Sequence, residues 1–205
     1  MILDYQALYY ELGELNSNTE QIWFVLHGYG QLAKYFIQKF KILDDGKNYI
    51  IAPEGLSRFY LDGYSGRVGA TWMTKENREV DIKNYLVYLD TLYKTLIIDP
   101  EIKVNVIGFS QGAATVSRWA TQSSVRIDKL ILWAGIFPPD MEIKKASARL
   151  IKMKIISIYG EEDAFIKKDQ KKEQLKIAES LGVAPIYITY NGGHDIDRRL
   201  LQELS

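Results

Sequence analysis

Consecutive apolar residues gather in short runs along the chain, at Ile22–Leu26, Tyr49–Ala52, Val104–Phe109, Leu130–Ala134, Ile155–Tyr159 and Ile186–Tyr190. A strand with one face in water alternates apolar and polar residues, whereas a strand covered on both faces is apolar at successive positions. Most of these runs follow the second pattern and predict buried strands. The opening Tyr5–Leu12 predicts an additional edge strand.

Between the runs the apolar spacing changes to steps of three and four. Ile82, Tyr85, Leu86, Leu89, Leu92, Tyr93 and Leu96 predict a long helix, closed by Asp99-Pro100. Ala113, Ala114, Val116 and Ala120 predict a small-residue helix directly after Phe109. Leu175, Ala178 and Leu181 predict another, stopped by Gly182. Strand–helix alternation implies the α/β class, with a mostly parallel central sheet and helices on both faces. No repeat or low-complexity linker divides residues 1–205, a length that suits one domain.

Two stretches depart from the alternation. Glu54–Thr74 carries Gly55, Gly63, Gly66 and Gly69 among Phe59, Tyr60, Tyr64 and Trp72. Phe137-Pro138-Pro139-Asp140 opens the second. Both read as long irregular loops, and both start beyond strand carboxyl ends, where open α/β sheets bind ligands.

Lys+Arg and Asp+Glu number 26 each, so charge gives no reason to expect nucleic acid or an anionic membrane as partner. The absence of cysteine excludes disulfides, thiolate metal sites and a cysteine nucleophile. Met1–Tyr10 lacks the basic and apolar stretches of a signal peptide, and Ile22–Leu26 is too short to span a bilayer. The expectation is a cytoplasmic protein without integral membrane association. Oligomeric state leaves no mark in the sequence.

The chemistry concentrates at Gly108-Phe109-Ser110-Gln111-Gly112, between the strand Val104–Ile107 and the small-residue helix. Gly-x-Ser-x-Gly between strand and helix is a nucleophile elbow. A turn that tight strains the serine backbone and leaves room only for minimal side chains two positions either side. It lifts the hydroxyl above the sheet and aims the helix N-terminus at the place where negative charge develops.

Serine needs a base, and the chain has two histidines, His27 and His194. His194 follows Asn191-Gly192-Gly193 after the last strand, where this architecture places its base. His27 ends the first buried run and reads as structural. An orienting acid is expected between Ser110 and His194. Tyr159-Gly160-Glu161-Glu162-Asp163 offers Asp163 first and Glu162 next, the shorter side chain holding the imidazole more rigidly. An oxyanion requires two donors: the Gln111 N–H, and the Tyr29 N–H in the loop His27-Gly28-Tyr29-Gly30.

Leu26-His27-Gly28-Tyr29-Gly30, Ala52-Pro53-Glu54-Gly55, the elbow, Tyr159–Asp163 and Gly192-Gly193-His194 together resemble the phospholipase/carboxylesterase family of α/β-hydrolases, from about Ile22 to the C-terminus. The resemblance implies the α/β-hydrolase fold, a Ser110–Asp163–His194 triad and oxyanion donors at Tyr29 and Gln111. It also implies a substrate pocket near Trp72 and Phe137. The family pattern has His-Gly before the acid and Pro after it, where this chain has Tyr159 and Ala164. It has an acid after the second glycine of the first loop, where Gln31 stands. The implied activity is hydrolysis of a small-molecule carboxylic ester, thioester or lysophospholipid through an acyl-enzyme, with no cofactor and no metal.

Two other readings compete. Gly28-Tyr29-Gly30-Gln31-Leu32-Ala33 matches the dinucleotide fingerprint, and Glu54 stands where a ribose-binding acid belongs. That would make the protein a nucleotide-binding oxidoreductase. A hydrolase fold used only for binding, with an inactive triad, is the other.

Overall fold

A seven-stranded sheet in the order β1-β3-β2-β6-β7-β8-β9 carries the molecule. In chain order its strands are β1 (Tyr9–Leu12), β2 (Gln21–Leu26), β3 (Asn48–Pro53), β6 (Lys103–Phe109), β7 (Lys129–Trp133), β8 (Lys154–Gly160) and β9 (Ile186–Tyr190). The edge strand β1 runs antiparallel to β3, and every other pairing is parallel. The computed structural model describes residues 4–97, 99, 101–166 and 168–205. Pro100, half of the expected stop after the long helix, and residues 1–3 of the opening segment lie outside these.

Double-sided burial explains the consecutive apolar runs. In β2, Ile22, Phe24 and Leu26 join one core cluster while Trp23 and Val25 join the other. Leu130 and Leu132 against Ile131 and Trp133 repeat the division in β7. Helices α2 (Arg78–Leu96), α3 (Gln111–Gln122) and α4 (Ile143–Leu150) contribute to the first cluster. The short α1 (Ala33–Phe36), its 3-10 continuation Ile37–Leu43 and α6 (Arg198–Glu203) contribute to the second. Helix α5 (Lys168–Ser180) ends before Gly182, as its sequence implies.

The Glu54–Thr74 stretch is not an irregular loop. It forms an antiparallel hairpin, β4 (Ser57–Asp62) and β5 (Ser65–Thr71), separate from the main sheet. Its apolar signal is short, Phe59-Tyr60-Leu61, because β4 and the first half of β5 are largely exposed. The residues after β7, from Gly135 to Glu142, do form an irregular segment.

Strand order reverses between β2 and β6, which are neighbours in the sheet. Chain from β2 turns outward to β3, and chain from β6 turns the other way to β7. The loops after two adjacent strands therefore diverge and leave a crevice at the carboxyl edge.

Candidate active site

Ser110 stands at that crevice, between the last residue of β6 and the first of α3. Its backbone is held at φ 54° and ψ −114°, a conformation that costs a non-glycine residue about 1–3 kcal/mol. The packing shows why glycines flank it. A Cβ on Gly108 would lie 2.3 Å from the Gly112 carbonyl oxygen, and one on Gly112 would lie 2.4 Å from the Leu26 carbonyl oxygen. The strained turn is held from the neighbouring β7 by Ser110 N–H donating to Trp133 O at 2.9 Å, and from within α3 by Ala113 N–H donating to Ser110 O at 3.0 Å.

His194 and Asp163 meet over the carboxyl ends of β8 and β9. Asp163 Oδ2 lies 2.8 Å from His194 Nδ1, and Asp163 Oδ1 accepts the Phe165 N–H at 2.8 Å. The Asp163 side chain is fully buried, whereas that of His194 is 21% exposed. Glu161 and Glu162 point outward instead. The two loops are bound together, with Glu161 N–H donating to Tyr190 O and Glu162 N–H to Gly192 O, each at 3.0 Å. The His194 ring lies between two phenyl rings, Phe109 at 4.9 Å and Phe165 at 4.7 Å between centroids. Phe109 precedes Ser110, so the imidazole sits over the elbow. Among the described residues no hydrogen bond joins the Ser110 hydroxyl to His194.

Tyr29 and Gln111 flank the same crevice. The Tyr29 N–H has no acceptor among the described residues, while its neighbours are engaged: Gly28 N–H donates to Gln31 Oε1 and Gly30 N–H to Ala70 O. Gln111 opens α3, where an N–H has no acceptor one turn back. The Gln111 side chain has a separate use. Its Oε1 accepts the Trp72 N–H at 3.2 Å and its Nε2 donates to Met73 O at 2.9 Å, which pins the end of β5 to the elbow. Thr71 Oγ1 hydrogen-bonds the same amide.

Trp72 and Phe137, expected to face substrate, are core residues, exposed by 2% and 1%. Trp72 Nε1 donates to His27 O, and the Phe137 backbone is held at both ends by the buried Gln174 amide. Their apolar rings serve the packing under the two loops. The crevice surface includes Phe165, which the sequence pattern does not single out, beside Tyr29 and Phe59, which it names. Phe165 is exposed beside His194, and the Tyr29 ring packs at a tilt against Phe59 of the hairpin, 5.0 Å between centroids.

His27 is wholly buried and structural. The Gly55 N–H donates to its Nε2 at 3.0 Å, so the ring proton is on Nδ1, 2.8 Å from Gly28 O. Burial pulls its pKa down to about 4, although the hydrogen bond to Gly28 and the Glu54 charge oppose the shift. Glu54 does not wait for a ribose. It is buried, its Oε2 accepting the Ala33 N–H at 3.0 Å and its Oε1 facing Arg58 at 2.6 Å. The glycine loop leads into one short helical turn at Ala33–Phe36, which leaves the dinucleotide reading without its helix or its acid. Among the described residues no cluster of His, Asp and Glu could hold a metal ion, and no helix is long and apolar enough to cross a membrane.

The sequence matches the family model described as "Serine hydrolase (FSH1)" over residues 18–200. No curated protein matches it. Among solved structures the chain is similar to acyl-protein thioesterase 2 of Zea mays, with TM-score 0.76 and 18% identity over 97% of this chain and 96% of that one. It is similar to esterase PE8, with TM-score 0.72 and 19% identity over 98% of this chain and 100% of that one. A phospholipase/carboxylesterase from Dyadobacter fermentans gives TM-score 0.67 and 18% identity, covering 98% and 97% of the two chains. At such identities the likeness establishes the fold, which is that of the α/β-hydrolases.

Proposed function

Because the chain belongs to the FSH1 serine hydrolase family, we propose that it is a carboxylesterase-type enzyme whose nucleophile is Ser110, base His194 and orienting acid Asp163. The observation that carries this reading is the 2.8 Å contact from Asp163 to His194 Nδ1, beside a serine held in an elbow. With Nδ1–H donated to Asp163, Nε2 is left unprotonated to accept the Ser110 proton.

The Ser110 oxygen attacks the ester carbonyl carbon as His194 takes its proton. The Tyr29 and Gln111 N–H groups stabilise the oxyanion. The tetrahedral intermediate then expels the alcohol, which His194 protonates, and leaves an acyl-Ser110 ester. Water, deprotonated by His194, attacks that ester; the acid leaves and Ser110 regains its proton. Asp163 holds the imidazole's orientation throughout. The cycle uses no metal or organic cofactor. Closing the elbow requires a shift of side chains on substrate binding, since hydrogen bonds at such sites tighten in the complex.

Small-molecule carboxylic esters are the proposed substrates. Thioesters and lysophospholipids present the same carbonyl, and the thioesterase among the structural neighbours favours trying them. A fluorophosphonate probe tests the nucleophile and separates an enzyme from an inactive binding protein. The expected result is a single covalent adduct on Ser110, lost in Ser110→Ala. A folded protein that does not label, or that labels equally in Ser110→Ala, refutes the assignment.

A further inference from the structure

A second cleft, of about 540 Å³, opens between the β4–β5 hairpin and the α1 segment. One end is the oxyanion loop itself, since Gly30 and Gln31 line it. Gln31 links this wall to the elbow: a Cβ on Gly28 would meet both the Gln31 side chain, at 3.3 Å from Oε1, and Ser110, at 3.2 Å from Cβ. The cleft has the size of a small-ligand site.

Its walls combine apolar surface from Leu32, Phe36, Leu61 and Val68 with three cations, Lys34, Lys39 and Arg67, and no carboxylate. Lys39 is neutralised by Asp195 at 2.6 Å. Lys34 and Arg67 have no carboxylate within ion-pair distance among the described residues, and Lys34 rests on the Tyr35 ring at 4.7 Å. In a protein of zero net charge these two cations create a local positive field, converging on one concavity from two separate elements. An arginine fork and an ammonium flanking an apolar floor match a short hydrocarbon ending in a carboxylate.

We propose that this cleft binds the acyl portion of the substrate and selects acyl groups that end in a carboxylate, with Lys34 and Arg67 as the specificity-determining residues. The proposal rests on the reading of Ser110 as nucleophile and names the substrate class for that site. The ester carbonyl would sit at Ser110, the methylenes against Leu61 and Val68, and the distal carboxylate between the two cations.

The test compares p-nitrophenyl half-esters of malonic to adipic acid with neutral p-nitrophenyl esters of matching length, on the full chain. One half-ester is expected to exceed its neutral counterpart in kcat/KM by about tenfold or more, as a charge-assisted contact predicts. The Lys34→Gln/Arg67→Gln double variant should reduce that ratio to about one. An undiminished ratio in the double variant, or a preference for the neutral ester in the parent, overturns the proposal. Calorimetry with glutarate on Ser110→Ala gives a readout independent of turnover, with binding expected and its loss expected when Lys34→Gln and Arg67→Gln are added. Glutarate binding without fluorophosphonate labelling would refute Ser110 and keep the cleft; labelling without carboxylate selectivity would refute the cleft alone.

Discussion

Asp163 and His194 are 31 positions apart, yet carboxylate Oδ2 and imidazole Nδ1 lie 2.8 Å from each other. Tethers between the two loops hold them there. A Cβ on Gly160 would lie 2.3 Å from Gly192 O, so the acid loop and the histidine loop touch backbone to backbone. Asp163→Asn retains the shape but removes the acceptor that fixes the Nδ1–H tautomer. Turnover of p-nitrophenyl acetate should fall by about 10³–10⁴-fold with the fold retained. A loss under about tenfold in steady-state assays would show that the imidazole is oriented by something else.

Gly69 in the hairpin and Gly30 in the loop proposed to hold the oxyanion are in contact through their backbones. A Cβ on Gly69 would lie 2.5 Å from Gly30 O, and Gly30 N–H donates to Ala70 O at 2.9 Å. The hairpin therefore sets the position of the loop that carries the Tyr29 N–H. Gly69→Ala should displace that donor and lower kcat by about 10²–10³-fold, the effect of losing one oxyanion contact. Fluorophosphonate labelling should slow with it, while far-ultraviolet dichroism stays unchanged. Unaltered kcat in a folded variant would disconnect the hairpin from catalysis.

The sheet was legible because burial on both faces leaves a signature that needs no partner to read, as Ile22–Leu26 and Leu130–Trp133 illustrate. The candidate residues Ser110, Asp163 and His194 stood out for a similar reason, each lying within four residues of a strand end that local sequence marks. The hairpin did not. Its strands are largely in water, their apolar run is only Phe59-Tyr60-Leu61, and what holds them is the bridge Gln31↔Ala70 and the Gln111 amide, contacts across long stretches of chain. Trp72 and Phe137 were misread because an aromatic residue in a loop looks the same in sequence whether it faces substrate or plugs the core beneath. Only their burial separates the two.

The Gln111 side chain meets Trp72 N–H at 3.2 Å and Met73 O at 2.9 Å. Gln111→Ala strips the Trp72 N–H of its acceptor and leaves Met73 O with the Thr71 hydroxyl alone. The cost should be about 1–3 kcal/mol, read as a lower urea midpoint with an unchanged slope. A midpoint equal to that of the parent would mean that the β5 end does not depend on this amide.

His27 gives the fold an acid sensitivity with a definite sign. Its ordinary value in the unfolded chain is 6.5, and in the folded protein it is about 4. Above pH 6.5 the imidazole is neutral in both states and contributes no pH dependence. As the pH falls from there, the unfolded chain binds a proton that the folded protein refuses, so stability declines until the folded group also titrates near pH 4. The full loss is about 3 kcal/mol. His27→Gln retains an acceptor for the Gly55 N–H and has no proton to gain. Chemical unfolding of the parent and variant between pH 7 and pH 4 should therefore converge or cross, the parent losing about 3 kcal/mol more than the variant across that interval. Parallel curves would show that the ring is protonated inside the fold, with the Gly55 N–H then turned away from it.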